Sequence, residues 1–369
     1  MAELPNTMRS LVAPKPCKPE FYEVRDLPLP TITKPDEMLI RVHAASLQTG
    51  DTQIAAGMMS LIIKSEFPTK LGIECSGTVV STGSEVRNFK PGDAVYGVAF
   101  GRPMEFDRPL GYCSEYCIGR EIFFVPKPPH ISFEEAAGIL GLSLTAHESL
   151  ELGEKHMAAH GKKLEGSTVF VPAALSSTSP PALQLLKNVF GAKKIVTTVS
   201  TAKIPQVEEY LPGLVDQVVD YQRTPKLTEA VPAGSIDFAY NTQFGSLVPL
   251  VPLMNRDTGV IVSIASVFPS RLFKLVMGPS FPIWAGWLAD LVGLYYRWLL
   301  RGTNIEMDFV SGNAEDRDRV EKVSEIIALG KVRSVIRVVE LEDIDALRAA
   351  CNQVYDGKGG LGKLVVKIV

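Results

Sequence analysis

An excess of charge of one sign, clustered cysteine and a long charge-free apolar run are all missing from this 369-residue chain. Its formal net charge is -3, from 38 Lys and Arg against 41 Asp and Glu. Without a basic excess, nucleic acid is not an expected partner. The five cysteines, at positions 17, 75, 113, 117 and 351, are odd in number and widely spaced. That excludes a disulfide framework and points to a reducing, cytoplasmic setting. The first twenty residues hold no apolar run and are crowded by Pro14, Lys15, Pro16, Lys18 and Pro19, so no secretory signal is expected. The stretch 281–300 comes near the length of a membrane span, but it carries Asp290 and Arg297 and is interrupted by Pro282, Gly286 and Gly293. A buried or lid helix is expected there, and no span.

What is present has two textures. The first 130 residues read as short strands, such as 38–46 and 75–83, punctuated by turn signals at Pro91-Gly92-Asp93, Gly101-Arg102-Pro103 and Lys127-Pro128-Pro129. A barrel-like domain follows from that pattern. Beyond residue 132 the pattern changes. Ser132 caps a helix with Glu135 as its capping-box partner, and a second apolar helix follows around 144–152. Strands at 168–174, 194–200, 217–221, 236–242 and 259–266 then alternate with helical segments, which predicts a parallel sheet covered by helices. The chain ends with helix, strand, helix and strand over 315–369.

Three segments, in order, carry a resemblance. LGIECSGTVVSTGSEVRNFKPGDAVYG (71–97), GLSLTAHESL (141–150) and YDGKGGLGKLVVKIV (355–369) are similar to the barrel signature, junction helix and closing strand of the medium-chain dehydrogenase/reductase superfamily. The chain most resembles its quinone-reductase and enoyl-reductase branch, including zinc-free fungal members that work beside polyketide synthases. The resemblance implies an α/β protein: a GroES-like β-barrel domain over 1–140 and 310–369, and a Rossmann doubly wound parallel-sheet domain over 141–309 with an aromatic insert at 269–300. It also implies a cleft between them for nicotinamide and substrate.

Zinc is not expected. The family's zinc-ligand positions fall in 46–51, which has no Cys, and at Gly72-Ile73-Glu74, which has no His; the four-cysteine lobe is absent. Cys113 and Cys117 read as packed thiols on one strand face. The nucleotide loop is more telling. Dinucleotide loops place glycine at the tight turn, at the pyrophosphate approach and at the helix–strand contact. Here residues 171–181 read VPAALSSTSPP, with no glycine. A Cβ at a position that needs positive φ costs about 1 kcal/mol. Pro180 and Pro181 remove two N–H donors from the helix start, where Ser179 reads as N-cap. Phe244, in the turn after the fourth strand, would place a large ring along a nucleotide. Ser176 and Ser179 are the loop residues that would touch a cofactor if one binds. Ser200, Lys203 and Tyr221 match positions this family uses for the 2′-phosphate of NADPH, although a solvated helix-start lysine is the plainer reading of Lys203.

On the substrate side, Gln48, Thr49, Asp51, Gln53 and His147 are the candidate catalytic residues. Asp51 is read as a general acid or base, or as a cap; His147 as catalytic, or as a hydrogen-bonded helix residue. Met58, Met59, Tyr96, Thr145, Phe244, Phe281, Trp284 and Trp287 are the candidate cleft lining. The aromatic 281–298 segment, which holds all three tryptophans, reads either as core or dimer packing or as a lid over a large apolar ligand. Together these readings favour a cofactor-free, redox-neutral enzyme of secondary metabolism acting on a polyketide-like molecule by cyclisation, Diels-Alder-type cycloaddition or isomerisation. An NADPH-dependent enoyl or quinone reductase, or a non-catalytic partner of a polyketide synthase, is the alternative. A monomer or homodimer is expected.

Overall fold

The structure is a computed structural model and describes residues 4–58, 60–61, 66–99, 111–279, 281–358 and 360–369. The chain divides into two compact units: Met1–Gly141 with Ala314–Ala328 and Ser334–Val369, and Leu142–Asn313 with Leu329–Arg333.

In the first unit, strands from both ends of the chain share one sheet. Its spatial order is Ile336–Glu340, Lys363–Lys367, Glu37–Leu47, Glu74–Thr82, Ala94–Val98 and Phe124–Pro126, and Tyr116–Arg120 also pairs with Glu37–Leu47. The first two strands run parallel, with the helix Ile344–Asp356 as the crossover such a pair requires; the other pairs are antiparallel. A smaller antiparallel sheet joins Glu23–Pro28, Thr7–Ala13 and Thr69–Lys70. Register shifts at Leu39/Ile40 and Val42/Ala44 bend the long strand, as a closing sheet needs. Gly77 permits the closest approach there, because a Cβ would lie 2.1 Å from the Arg41 carbonyl oxygen. Ser132 caps the helix Phe133–Ala137, and the Glu135 carboxylate accepts the Ser132 N–H, completing the capping box.

The second unit holds six parallel strands. Their spatial order is Gln217–Asp220, Lys194–Val199, Thr168–Val171, Phe238–Asn241, Val260–Ser263 and Glu306–Phe309, the 3-2-1-4-5-6 arrangement of a Rossmann sheet. Val169, Phe170, Val171, Ile195, Val196, Val260, Ile261 and Val262 are fully buried, so these strands show unbroken apolar runs rather than alternation. Gly153 of the helix Leu140–Ala159 lets it lie against the sheet, since a Cβ would meet the Phe238 ring at 2.1 Å. At that helix's far end His156 and His160 face Glu306 and Asp308 of the sixth strand. Burial would raise the Glu306 carboxyl, but hydrogen bonds with His160 and His156 hold it below its usual range. Two helices, Ser270–Met277 and Ile283–Leu299, fill the connection between the fifth and sixth strands.

Candidate functional site

The loop after the first parallel strand is where a Rossmann sheet would receive a pyrophosphate. Ala173 has φ 54°, the one positive φ outside glycine among the described residues. The backbone therefore keeps a left-handed turn that glycine would take freely, with a Cβ added. The loop's amides are directed inward. Ala173 N–H donates to Thr198 Oγ1 at 3.0 Å, Ala174 N–H to the Thr198 carbonyl at 3.1 Å and Ser176 N–H to the Ala173 carbonyl at 2.8 Å. The helix that follows, Ser179–Asn188, begins one residue earlier than the sequence reading, so Thr178 and not Ser179 is its N-cap. Its next two residues, Pro180 and Pro181, have no N–H, and the Ser179 N–H faces Ser176 Oγ at 3.4 Å. The start of this helix thus presents far less to an anion than an ordinary one.

The hydroxyls are committed as well. Ser179 is fully buried and donates to the Pro172 carbonyl at 2.7 Å; Thr242 Oγ1 donates to the same carbonyl at 3.1 Å. Ser179 Oγ also lies 3.0 Å from Ser176 Oγ and 3.1 Å from Thr242 Oγ1. Beside them, Asn241 Nδ2 donates to Ser263 Oγ at 2.9 Å, Ser263 and Ser266 hydroxyls meet at 2.8 Å, and Ser246 donates to Asn241 Oδ1. The carboxyl ends of the first, fourth and fifth strands are therefore closed by a side-chain network. Thr198, Thr242 and Ser263 were not singled out in the sequence, because their bonds join strands far apart in the chain. Phe244 does not add to this closure: it is 78% exposed, its ring turned to solvent instead of along the loop.

The turn after the second strand is different in character. Ser200 and Lys203 are partly buried there and Tyr221 is exposed, while the Thr201 hydroxyl donates to Asp220 at 2.7 Å. That hydrogen bond, despite some opposing burial, holds the Asp220 carboxyl low, with further help from the Gln222 and Arg223 amides.

In the first unit the helix Thr49–Ala55 carries the remaining polar candidates. Asp51 accepts the Gln48 N–H at 2.8 Å, which makes it the acid of a helix-start cap. Burial pushes its carboxyl up to about 6, against the lowering effect of the Gln48 amide and of Lys363. Near it a fully enclosed ion pair joins Lys363 Nζ to Glu74 Oε1 at 3.0 Å, and the Gly141 N–H donates to Glu74 Oε2 at 3.0 Å. Burial raises the Tyr22 phenol, whose hydroxyl meets no hydrogen-bond partner among the described residues, and pushes the Cys351 thiol to about 12; both feel the Asp51 charge. Thr49 is exposed, its hydroxyl 3.5 Å from the Val354 carbonyl, and Gln53 is half-buried. Lys363 was missed in the sequence; its signal is a lysine at an inward register position of an apolar strand.

Several expectations are corrected. His147 is fully buried, with Nδ1 3.4 Å from the Glu151 carboxylate and its ring 5.8 Å from that of Phe190, the surroundings of a packed helix residue. Tyr96 is buried in the sheet of the first unit, its hydroxyl 3.3 Å from that of Ser324, so it lines no surface. Phe281 is buried and stacks on Phe273 at 5.0 Å. Thr145 is half-buried on its helix, Met58 is exposed, and Met59 lies outside the described residues. Cys113 precedes the strand that holds Cys117, whose Sγ meets that of Cys75 at 3.8 Å, so the two do not share a strand face. No group of three or more His, Cys, Asp or Glu among the described residues is arranged to hold a metal ion, and none of their helices is long and apolar enough to cross a membrane.

Residues 34–142 match the alcohol dehydrogenase GroES-like domain. A 2-methylene-furan-3-one reductase of Solanum lycopersicum is 31% identical over 237 residues, 64% of this chain and 57% of the relative. An NADPH-dependent alkenal/one oxidoreductase, chloroplastic, of Arabidopsis thaliana is 32% identical over 190 residues, 52% of this chain and 46% of the relative. The matched stretches span about half the length of these curated relatives. A quinone oxidoreductase from Coxiella burnetii superposes with a TM-score of 0.75 at 22% identity, over 98% of this chain and 100% of that one, a likeness of fold. The chain thus carries an alcohol dehydrogenase GroES-like domain, followed along the sequence by a parallel sheet in Rossmann order, and over part of its length it is similar to reductases.

Proposed function

We propose that this chain is an enzyme on a reductase fold that acts on an apolar, carbonyl-bearing molecule of polyketide type without transferring hydride, by cyclisation, cycloaddition or isomerisation. The observation that carries this reading is the 172–181 loop. A pyrophosphate needs free N–H groups and a close backbone approach. Here prolines stand at three positions, four amides donate within the protein, and Ala173 carries its Cβ at positive φ. These residues do not fit the dinucleotide.

The chemistry left to the chain is proton chemistry. A carboxyl near 6 populates both of its forms around neutral pH, the condition for a general acid or base. Protonated, Asp51 would donate to a substrate carbonyl and lower the barrier to cycloaddition. Ionised, it would take a proton from the carbon beside that carbonyl and return it elsewhere, an isomerisation with no net redox change. Gln48, Thr49 and Gln53, on the same short helix and its cap, are the neighbouring donors.

A second reading, NADPH-dependent reduction of a conjugated carbonyl, is favoured by the names of the relatives and by the Ser200–Lys203 turn. That turn presents hydroxyls and a lysine where an NAD-preferring site would place an acid. One assay separates the readings. A conjugated enone of polyketide type is incubated with enzyme alone and with enzyme plus NADPH, and nucleotide affinity is measured by calorimetry. The expected result is product of unchanged mass without nucleotide, no micromolar NADPH binding, and turnover slowed about 100-fold in Asp51→Asn. Micromolar affinity with a product heavier by two hydrogens, formed only with NADPH, establishes the reductase instead. Absence of either product across such substrates favours the non-catalytic partner.

A further inference from the structure

The helix Ile283–Leu299 is amphipathic the wrong way round. Its covered side is built of small residues, with Ala285, Gly286 and Ala289 buried. Its exposed side carries Ile283, Trp284, Trp287, Leu288, Leu291, Leu294, Tyr295 and Trp298, between 46% and 69% exposed. At 100° per residue these eight occupy an arc of roughly 140°. A monomeric soluble protein rarely leaves so continuous an apolar stripe uncovered. The stripe is also held rigid. Phe281 stacks on Phe273, Phe273 lies 5.6 Å from Phe268, and Asp290 accepts both the N–H and the hydroxyl of Ser270, which fastens the two insert helices together.

We propose that this face docks flat on an anionic phospholipid surface. Three observations select that occupant. First, the exposed residues are rich in Trp and Tyr, whose rings combine an apolar body with a polar tip and settle at the depth of lipid headgroups. Second, Lys274 on the neighbouring helix and Arg297 and Arg301 at the far end are exposed, as is Arg271, whose guanidinium lies 3.4 Å from Asp308; the exposed acid Asp290 among them is already engaged by Ser270. Four cations beside an apolar stripe complement anionic headgroups, whereas the same stripe on a second copy of this chain would bring like charges together. Third, the helix has 17 residues, about 25 Å of rise, too short to cross the roughly 30 Å hydrocarbon core but suited to lying in its interface.

The chain supplies its own probe, since its three tryptophans all lie on this face. The full-length protein is mixed with phosphatidylcholine vesicles with and without phosphatidylserine. Tryptophan emission and co-sedimentation are read together, and oligomeric state is measured without lipid. The expected result is a blue shift and co-sedimentation with the phosphatidylserine vesicles. Trp287→Ser with Trp298→Ser should weaken binding at least about tenfold, and Arg297→Gln with Arg301→Gln about fivefold for each charge removed, both with unchanged far-ultraviolet dichroism. Absence of binding to phosphatidylserine vesicles at low salt overturns the proposal. A concentration-dependent dimer that buries these tryptophans without lipid assigns the face to a second copy and overturns it equally.

Discussion

The nucleotide loop and the aromatic helix lie in the same parallel-sheet unit and break the usual inside-out rule in opposite directions. The loop turns hydroxyls and amides inward and joins them to one another. The helix turns its tryptophans and leucines outward and covers its alanines. A polar group satisfied by its own protein has little left to give a phosphate, and an apolar group left in water gains by being covered. The two regions therefore differ in what they leave unsatisfied: the loop's inward polar groups have partners within the protein, and the helix's outward apolar groups face solvent.

The largest expected effect tests the closed side. Ser179→Ala with Thr242→Val removes both side-chain donors from the Pro172 carbonyl, and each loss of a buried partner costs about 1–3 kcal/mol. Urea denaturation should show the loss, and if stability is unchanged the loop is not held by this network. Next comes the buried carboxyl of the other unit. Asp51 has its folded value raised to about 6, above its unfolded value near 4. The folded state then holds its proton more tightly, so stability contributed by this group is present below pH 4 and is lost as pH rises toward 6. Asp51→Asn should remove that slope from a stability–pH curve, and a slope that persists assigns it to other groups. Ala173→Gly relieves the positive φ and should stabilise by about 1 kcal/mol, read as a higher urea midpoint; a destabilised variant would mean that the Cβ contributes packing. Smallest of all, Trp287→Ser with Trp298→Ser should change stability without lipid by no more than about 0.5 kcal/mol per site, since both side chains are largely exposed. A larger loss in thermal melting would show that these rings already pack on protein, and the contrast between the two regions would fail.

Much of the architecture was legible because it is local. The runs at 168–171, 194–199 and 260–263 are continuously apolar, and the segments between them have helical character, so a parallel sheet followed from the pattern alone. The Ser132–Glu135 cap was legible for the same reason, its two partners being three residues apart. The missing loop glycines could be read directly. What replaced them could not: the partners of Ser179 include Thr242, 63 residues away, and Glu74 finds Lys363 across 289. His147 shows the other gap, because helical spacing places a residue on a face without saying whether that face is buried.

The amino-acid sequence by itself determined the order of strands and helices and the absence of glycine from residues 171–181, because each rests on residue type and short spacing. Tertiary structure alone decided that the loop's hydroxyls are spent on one another, that Asp51 is raised beside a buried Glu74–Lys363 pair, and that the tryptophans face outward. Those outcomes depend on which distant groups meet and which side of a helix is covered, and periodicity carries neither.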